Sequence, residues 1–252
     1  MSKYYRGKRK KNVYTPGEPS PFRLSRSRIE LFIQCQRCFY IDRRLGVDRP
    51  PGFPFTLNSA VDALLKKEFD LLRKGKEPHP LMKQYNIDAI PAQHPNLDQW
   101  RNNFKGLSCL DQKTNLFITG AIDDLWQNSQ GEYIVVDYKS TSKNEEIIAL
   151  NKDWQDAYKR QMEIYQWLLR RNLDKVSQTG YFVYCNGKTN LDKFDAKLEF
   201  DITLIPYQGD DSWIDNVLVQ IYQCLNSDRL PEADKDCDFC LYRHEVGSLR
   251  IE

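Results

Sequence analysis

The stretch from Gly120 to Thr141, GAIDDLWQNSQGEYIVVDYKST, constrains this chain more than any other. An apolar, β-prone run (Leu116 to Thr119) precedes Asp123, and a polar turn, Asn128-Ser129-Gln130-Gly131, precedes a second run, Tyr133 to Lys139. That order predicts a hairpin. Side chains alternate faces along a strand, so Asp137 and Lys139 share one face while Val136 and Tyr138 share the other. With Asp123 opposite them, two carboxylates would converge beside an ammonium. Such a set suits a hard divalent cation together with a phosphate. Taken alone, the same residues are more often a strand-end ion pair and a turn cap, since such surface pairs are frequent.

The rest of the chain has an α/β rhythm. Ser27-Arg28-Ile29-Glu30 reads as a capping box opening a helix with Ile29, Phe32 and Ile33 inward, and Cys35 and Cys38 lie on that helix or at its end. DRPPGFP (48–54) breaks the chain, and Leu57 to Arg73 is predicted to form an amphipathic helix with Val61, Leu64, Leu65, Phe69 and Leu72 inward and Asp62 beside them. Leu107 to Ile118 and Ala121 to Trp126 are predicted strands, as are Val176 to Cys185 and Leu198 to Ile205. Asn151 to Asn172 should be a helix carrying Trp154, Tyr158, Met162, Tyr165 and Leu169 on one side, and Trp213 to Leu225 another. No glycine-rich turn follows the first strand, which excludes a dinucleotide-binding pattern.

A chain of 252 residues can bury a sizeable core. The absence of a long apolar run, or of an apolar stretch after the basic N-terminus, predicts neither a membrane span nor a secretory signal, hence a cytoplasmic protein without a membrane partner. Net charge is only +2, so a nucleic-acid partner would be met by local basic patches. Residues 1–22, with Lys3, Arg6, Lys8, Arg9, Lys10 and Lys11 and then a Pro/Gly/Ser stretch, are expected to form a flexible basic arm, either a phosphate contact or a solubilising tail. Of seven cysteines, four are paired by spacing, Cys35-x-x-Cys38 and Cys237-x-x-Cys240, and could supply one metal centre if the ends of the chain meet. Cys109, Cys185 and Cys224 lie in apolar surroundings and read as core residues. His79, His94 and His244 read as solvent-facing, and Glu68 is a weaker candidate ligand than Asp62.

Asp-Tyr-Lys-Ser-Thr closing a valine-rich strand, with Gly120-x-x-Asp123 before it, resembles the PD-(D/E)XK nuclease superfamily in its RecB-type and CRISPR-adaptation branch. Gln161-x-x-x-Tyr165 resembles a further motif of that branch. The resemblance implies an α/β, restriction-endonuclease-like core with a small central mixed β-sheet flanked by helices, and a cysteine-containing helical lobe joining the two ends of the chain. It implies a single domain over 23–252, with the core at about 55–206 and the lobe from 23–50 and 226–246. It implies a metal-dependent deoxyribonuclease acting in DNA repair, recombination or processing of DNA ends, with a helicase or integrase as candidate partner. Asp62, Asp123 and Asp137 would hold Mg²⁺ or Mn²⁺ with the Tyr138 carbonyl as a further oxygen ligand. Lys139 would orient the attacking water, and Gln161 and Tyr165 would border the site. Asp62 stands where the family often has histidine, a departure that bears on metal preference. Cys35, Cys38, Cys237 and Cys240 would hold a [4Fe-4S] cluster or Zn²⁺. The resemblance favours iron-sulfur, although the family distributes its cysteines one and three, whereas here Cys38 is extra and Val246 stands where a last cysteine would be. A non-cleaving DNA-binding member of the same fold and a metal-stapled interaction module remain as alternatives.

Overall fold

The structure, a computed structural model, describes residues 7–52 and 56–249. Lys3, Tyr4, Tyr5 and Arg6 of the expected basic arm lie outside the described residues. The chain divides into two compact units: the first takes in the described parts of 1–53, 109–119 and 212–252, the second those of 54–108 and 120–211.

In chain order, β1 (Phe22–Ser25) leads into α1 (Arg26–Gln34), α2 (Gln36–Arg43), α3 (Thr56–Gly75) and α4 (Pro80–Gln84). These are followed by β2 (Ile90–Pro91), α5 (Leu97–Trp100), β3 (Leu107–Asp111), β4 (Leu116–Gly120), β5 (Asp124–Gln127) and β6 (Tyr133–Thr141). A 3₁₀ turn (Asp153–Gln155) then opens α6 (Asp156–Arg170), which precedes β7 (Thr179–Gly187), β8 (Phe200–Gln208), α7 (Ile214–Asn226) and α8 (Asp238–Ser248).

The second unit is built on a mixed five-stranded sheet in the order β2-β5-β6-β7-β8. β6 and β7 run parallel, with Asp137 beside Phe182 and Lys139 beside Tyr184. Parallel neighbours need a crossover, and α6 supplies it. Val136 and Tyr138 join Leu65, Phe69, Met82, Trp126 and Val183 in a core on the α3 side of the sheet. On the other face α6 buries Met162, Tyr165, Leu168 and Leu169. It also comes close to the last residue of β4: a Cβ on Gly120 would fall 2.8 Å from Tyr165 and 3.0 Å from Leu168.

The first unit contains most of a three-stranded sheet, β1-β4-β3, with β1 and β4 parallel. Asp42 on α2 is fully buried there, receiving Arg43 at 2.9 Å and Arg28 at 2.8 Å together with Arg9. Burial alone would raise its carboxyl pKa, but a hydrogen bond with Asp48 and the guanidinium groups of Arg43 and Arg28 hold it below the ordinary value. Arg9, from the segment expected to be an arm, also pairs with Asp48, and its amide donates to the Gly46 carbonyl at 2.9 Å.

Several local expectations are corrected. Ser27 does not cap α1: the helix starts at Arg26 straight out of β1, and the Ser27 hydroxyl lies 3.0 Å from that of Ser25 instead. The run 107–118 is two strands, because the Asp111 carboxylate accepts from the Thr114 amide and Asn115 takes a positive φ to close a turn. β4 then joins the small sheet, so the antiparallel neighbour of β6 is β5, with β7 on its other side. Leu64 is 63% exposed, because α3 turns Leu65 and Phe69 to the core. Trp154 sits in the 3₁₀ turn ahead of α6 and is 53% exposed. His79 is buried, stacked on Phe69 with ring centroids 4.4 Å apart. Cys109 and Cys224 are half-buried, whereas Cys185 is buried as expected.

Candidate active site and thiolate cluster

β5 and β6 are antiparallel with Asp124 opposite Val136, so Asp123, just ahead of β5, faces the end of β6. Its Oδ2 accepts the Tyr138 backbone N–H at 2.9 Å, which fixes it beside Asp137 and Lys139. Asp137 is fully buried, and its Oδ2 is ion-paired with Lys139 Nζ. Gln161 on α6 ties this group together. Its Nε2 donates to Asp137 Oδ1 at 2.8 Å and lies 3.1 Å from Tyr165 Oη, while its Oε1 accepts from Lys139 Nζ at 3.2 Å. Lys139 Nζ also stands 4.5 Å from the centroid of the Tyr158 ring.

Electrostatics follow from this crowding. The Asp123 carboxyl is pushed up to about 7, first by burial and then by the Asp137 charge, against the opposing pull of Lys139 and Lys66. Burial works against charging Lys139, but Asp137 and Asp123 outweigh it and raise its pKa. Lys139 therefore remains an ammonium at neutral pH.

Asp62 reaches the same group from α3. Its Oδ2 accepts from Lys66 Nζ at 2.9 Å, and that ammonium stands 3.6 Å from Asp123 Oδ1. A cationic group thus already lies between two of the three carboxylates expected to hold a metal. The three carboxylates offer oxygen donors only, which fits the donor chemistry of Mg²⁺ or Mn²⁺. Glu68 is turned elsewhere, its Oε1 lying 2.9 Å from His79 Nε2.

Four residues behind the site escaped sequence reasoning. Asp124 is fully buried; it pairs with Arg73 and Arg101, and its Oδ2 accepts from the Tyr138 hydroxyl at 2.8 Å. Arg101 also reaches Asp70 at 2.8 Å. The signal was the Asp-Asp doublet: on a strand one of two neighbours must point away from the solvent-facing cluster, and a buried carboxylate needs cationic partners. Lys66 escaped it too, although its position four residues after Asp62 could have pointed to it.

In the first unit the two cysteine pairs meet. Cys35 stands in the break between α1 and α2, so it caps α2 with Cys38 in that helix's first turn. Cys237 and Cys240 repeat the arrangement on α8. All four side chains are buried, and their sulfurs lie within 4.8 Å of one another, able to hold a metal ion. Among the described residues this is the one group of three or more Cys, His, Asp or Glu so close together. Burial raises the Cys38 and Cys240 thiols. Cys35 is brought down to about 7 in spite of burial, by hydrogen bonds from the backbone at Asp234 and Cys38 and from the neighbouring thiols.

Residues 61–244 match the family model of the PD-(D/E)XK nuclease superfamily. The chain belongs to that superfamily. The matched span runs from the residue before Asp62 to the residue after Arg243, and so takes in the carboxylates, Lys139, Gln161, Tyr165 and the second cysteine pair of this PD-(D/E)XK protein. A solved structure described as "Crystal structure of SSO0001" is 17% identical over 91% of this chain and 87% of that one, with a TM-score of 0.37, too low to bear on the fold. No curated protein matches. Among the described residues no helix is long and apolar enough to cross a membrane.

Proposed function

We propose that this PD-(D/E)XK protein is a metal-dependent deoxyribonuclease of the RecB-type and CRISPR-adaptation branch. It hydrolyses phosphodiester bonds during repair, recombination or processing of DNA ends in the cytoplasm, on DNA delivered by a helicase or integrase partner. The observation that carries the reading is the Gln161 side chain, which binds Asp137, Lys139 and Tyr165 together. A resting ion pair at a strand end does not call for an amide from another element that orients both partners.

Asp62, Asp123 and Asp137, with the Tyr138 carbonyl, would hold Mg²⁺ or Mn²⁺. The cation, when bound, supplies Lewis acidity toward a phosphoryl oxygen and a more acidic water. The remaining work falls to the chain itself. Lys139, kept charged by its carboxylate neighbours, offsets negative charge growing on the phosphoryl oxygens and orients the attacking water rather than removing its proton. Gln161 and Tyr165 hold that ammonium on the substrate side of the sheet. The division of the chain then has a functional reading: the second unit is the nuclease core and the first a cysteine-stapled lobe.

The test is cleavage of end-labelled single- and double-stranded DNA by anaerobically purified protein with Mg²⁺, Mn²⁺ or EDTA, beside Lys139→Ala. Metal-dependent products from the wild type, falling by at least 100-fold in the variant, are expected. A second reading, a DNA-binding member that does not cleave, is favoured by the position of Lys66 between Asp62 and Asp123. DNA binding without products in either metal would establish it in place of the first.

A further inference from the structure

The four thiolates have a geometry that discriminates between the two classes of metal centre their count allows. The sulfur of Cys38 lies 3.6 Å from Cys237 and 3.6 Å from Cys240, and Cys35 lies 3.8 Å from Cys240. No pair among the four exceeds 4.8 Å. Four sulfurs bound tetrahedrally to one ion at 2.3 Å stand about 3.8 Å apart. In an iron-sulfur cubane each thiolate sits on a different iron and points outward, with inorganic sulfide between, so that the sulfurs stand roughly 6 Å apart. A two-iron core brings its thiolates together only in pairs and separates the pairs by the iron-sulfide rhomb. Neither core fits inside this tetrahedron.

The local architecture agrees. Both pairs are Cys-x-x-Cys turns in which the first cysteine caps a helix and the second occupies its third position. The Cys38–Cys237 and Cys35–Cys240 contacts span 199 and 205 residues, so each joins one turn to the other. Two such turns facing each other present four sulfurs to a single point. Arg49 adds a cation beside the centre, its Nη2 lying 3.3 Å from Cys237 Sγ, where it offsets the net negative charge that four thiolates retain around a divalent ion.

We infer that this site holds one zinc ion in tetrahedral four-thiolate coordination, and not an iron-sulfur cluster. Zinc lies above ferrous iron in intrinsic affinity for a given set of ligands, and a closed four-thiolate shell leaves no position for substrate, so the role is structural. The inference stands whether or not the carboxylate site cleaves DNA.

The experiment is metal analysis of full-length protein purified anaerobically from cells supplied with both iron and zinc, with acid-labile sulfide and the visible spectrum measured on the same sample. One zinc per chain, no labile sulfide and a featureless spectrum above 350 nm are expected. Iron, with or without sulfide, or less than half an equivalent of zinc, would overturn the proposal. Thiol variants can fail to fold, so a second measurement uses the wild type. Stepwise modification with an organomercurial should release zinc in proportion to the reaction of the four cluster thiols, reaching one equivalent when all four have reacted, read by a chromogenic chelator. Release out of proportion to those thiols would also overturn it.

Discussion

Lys66 has to yield for the proposed chemistry to occur. Its ammonium lies between Asp62 and Asp123, so a divalent cation held by those carboxylates must displace it. Displacement is cheap, since an i,i+4 pair on a half-exposed helix face is worth about 0.3–0.5 kcal/mol. Replacing Lys66 with Met removes the competitor but keeps the aliphatic stem. Mn²⁺ should then bind about 2-fold more tightly, as followed by calorimetric titration of protein free of DNA. Unchanged or weaker binding would show that the lysine does not compete for this site. Lys139 differs in kind: pinned by Asp137 and Gln161, it has no comparable freedom. The two lysines were equally visible as letters in the sequence. Only the Asp-x-Lys spacing on one strand marked Lys139, because Lys66 reaches the site from another element.

Between elements, the fit of α6 against the end of β4 depends on Gly120. A methyl group there would meet the Tyr165 ring at 2.8 Å, and the ring cannot retreat without moving the hydroxyl that Gln161 contacts. Gly120→Ala should cost about 1–3 kcal/mol in urea denaturation. It should also lower cleavage well beyond the loss of folded protein; an effect on stability alone would separate packing from positioning. The 3₁₀ turn before α6 offers the substrate an aromatic surface. Trp154 stands edge-on to Tyr158 at 5.7 Å, and the Tyr158 ring lies under Lys139, so the aromatic pair leads outward from the proposed reaction centre. A base of an entering strand can stack there, for about 1–3 kcal/mol. Trp154→Ala should therefore weaken binding of single-stranded DNA about 5- to 150-fold in EDTA, read by fluorescence anisotropy, with duplex affinity less affected. Equal losses on both substrates would argue against stacking.

At the scale of the whole molecule, what was legible in the sequence was what local pattern dictates. Alternation placed Asp137 and Lys139 on one face and Tyr138 on the other, and helical spacing brought Gln161 and Tyr165 together. What was not legible required partners distant in the chain. The break of α1 at Cys35, the transfer of β4 to a second sheet beside β1, and the burial of His79 under Phe69 and of Asp124 under two arginines each depend on segments far from the residue concerned. The division into two units carries its own consequence. All four cysteines belong to the first unit, and all three carboxylates with Lys139 belong to the second. Joining Cys35 to Cys240 through a metal closes a span of 205 residues, and closing so long a loop restricts the unfolded chain by about 5 kcal/mol if the link behaves as a covalent cross-link does. At about 2–4 °C per kcal/mol for a chain of this size, Cys237→Ser should lower the melting temperature by about 10 °C or more. If the units unfold separately, calorimetry should show the loss in one transition, leaving the other where it is in the wild type. A metal-free variant that melts as the wild type does would remove the structural role from the thiolate site.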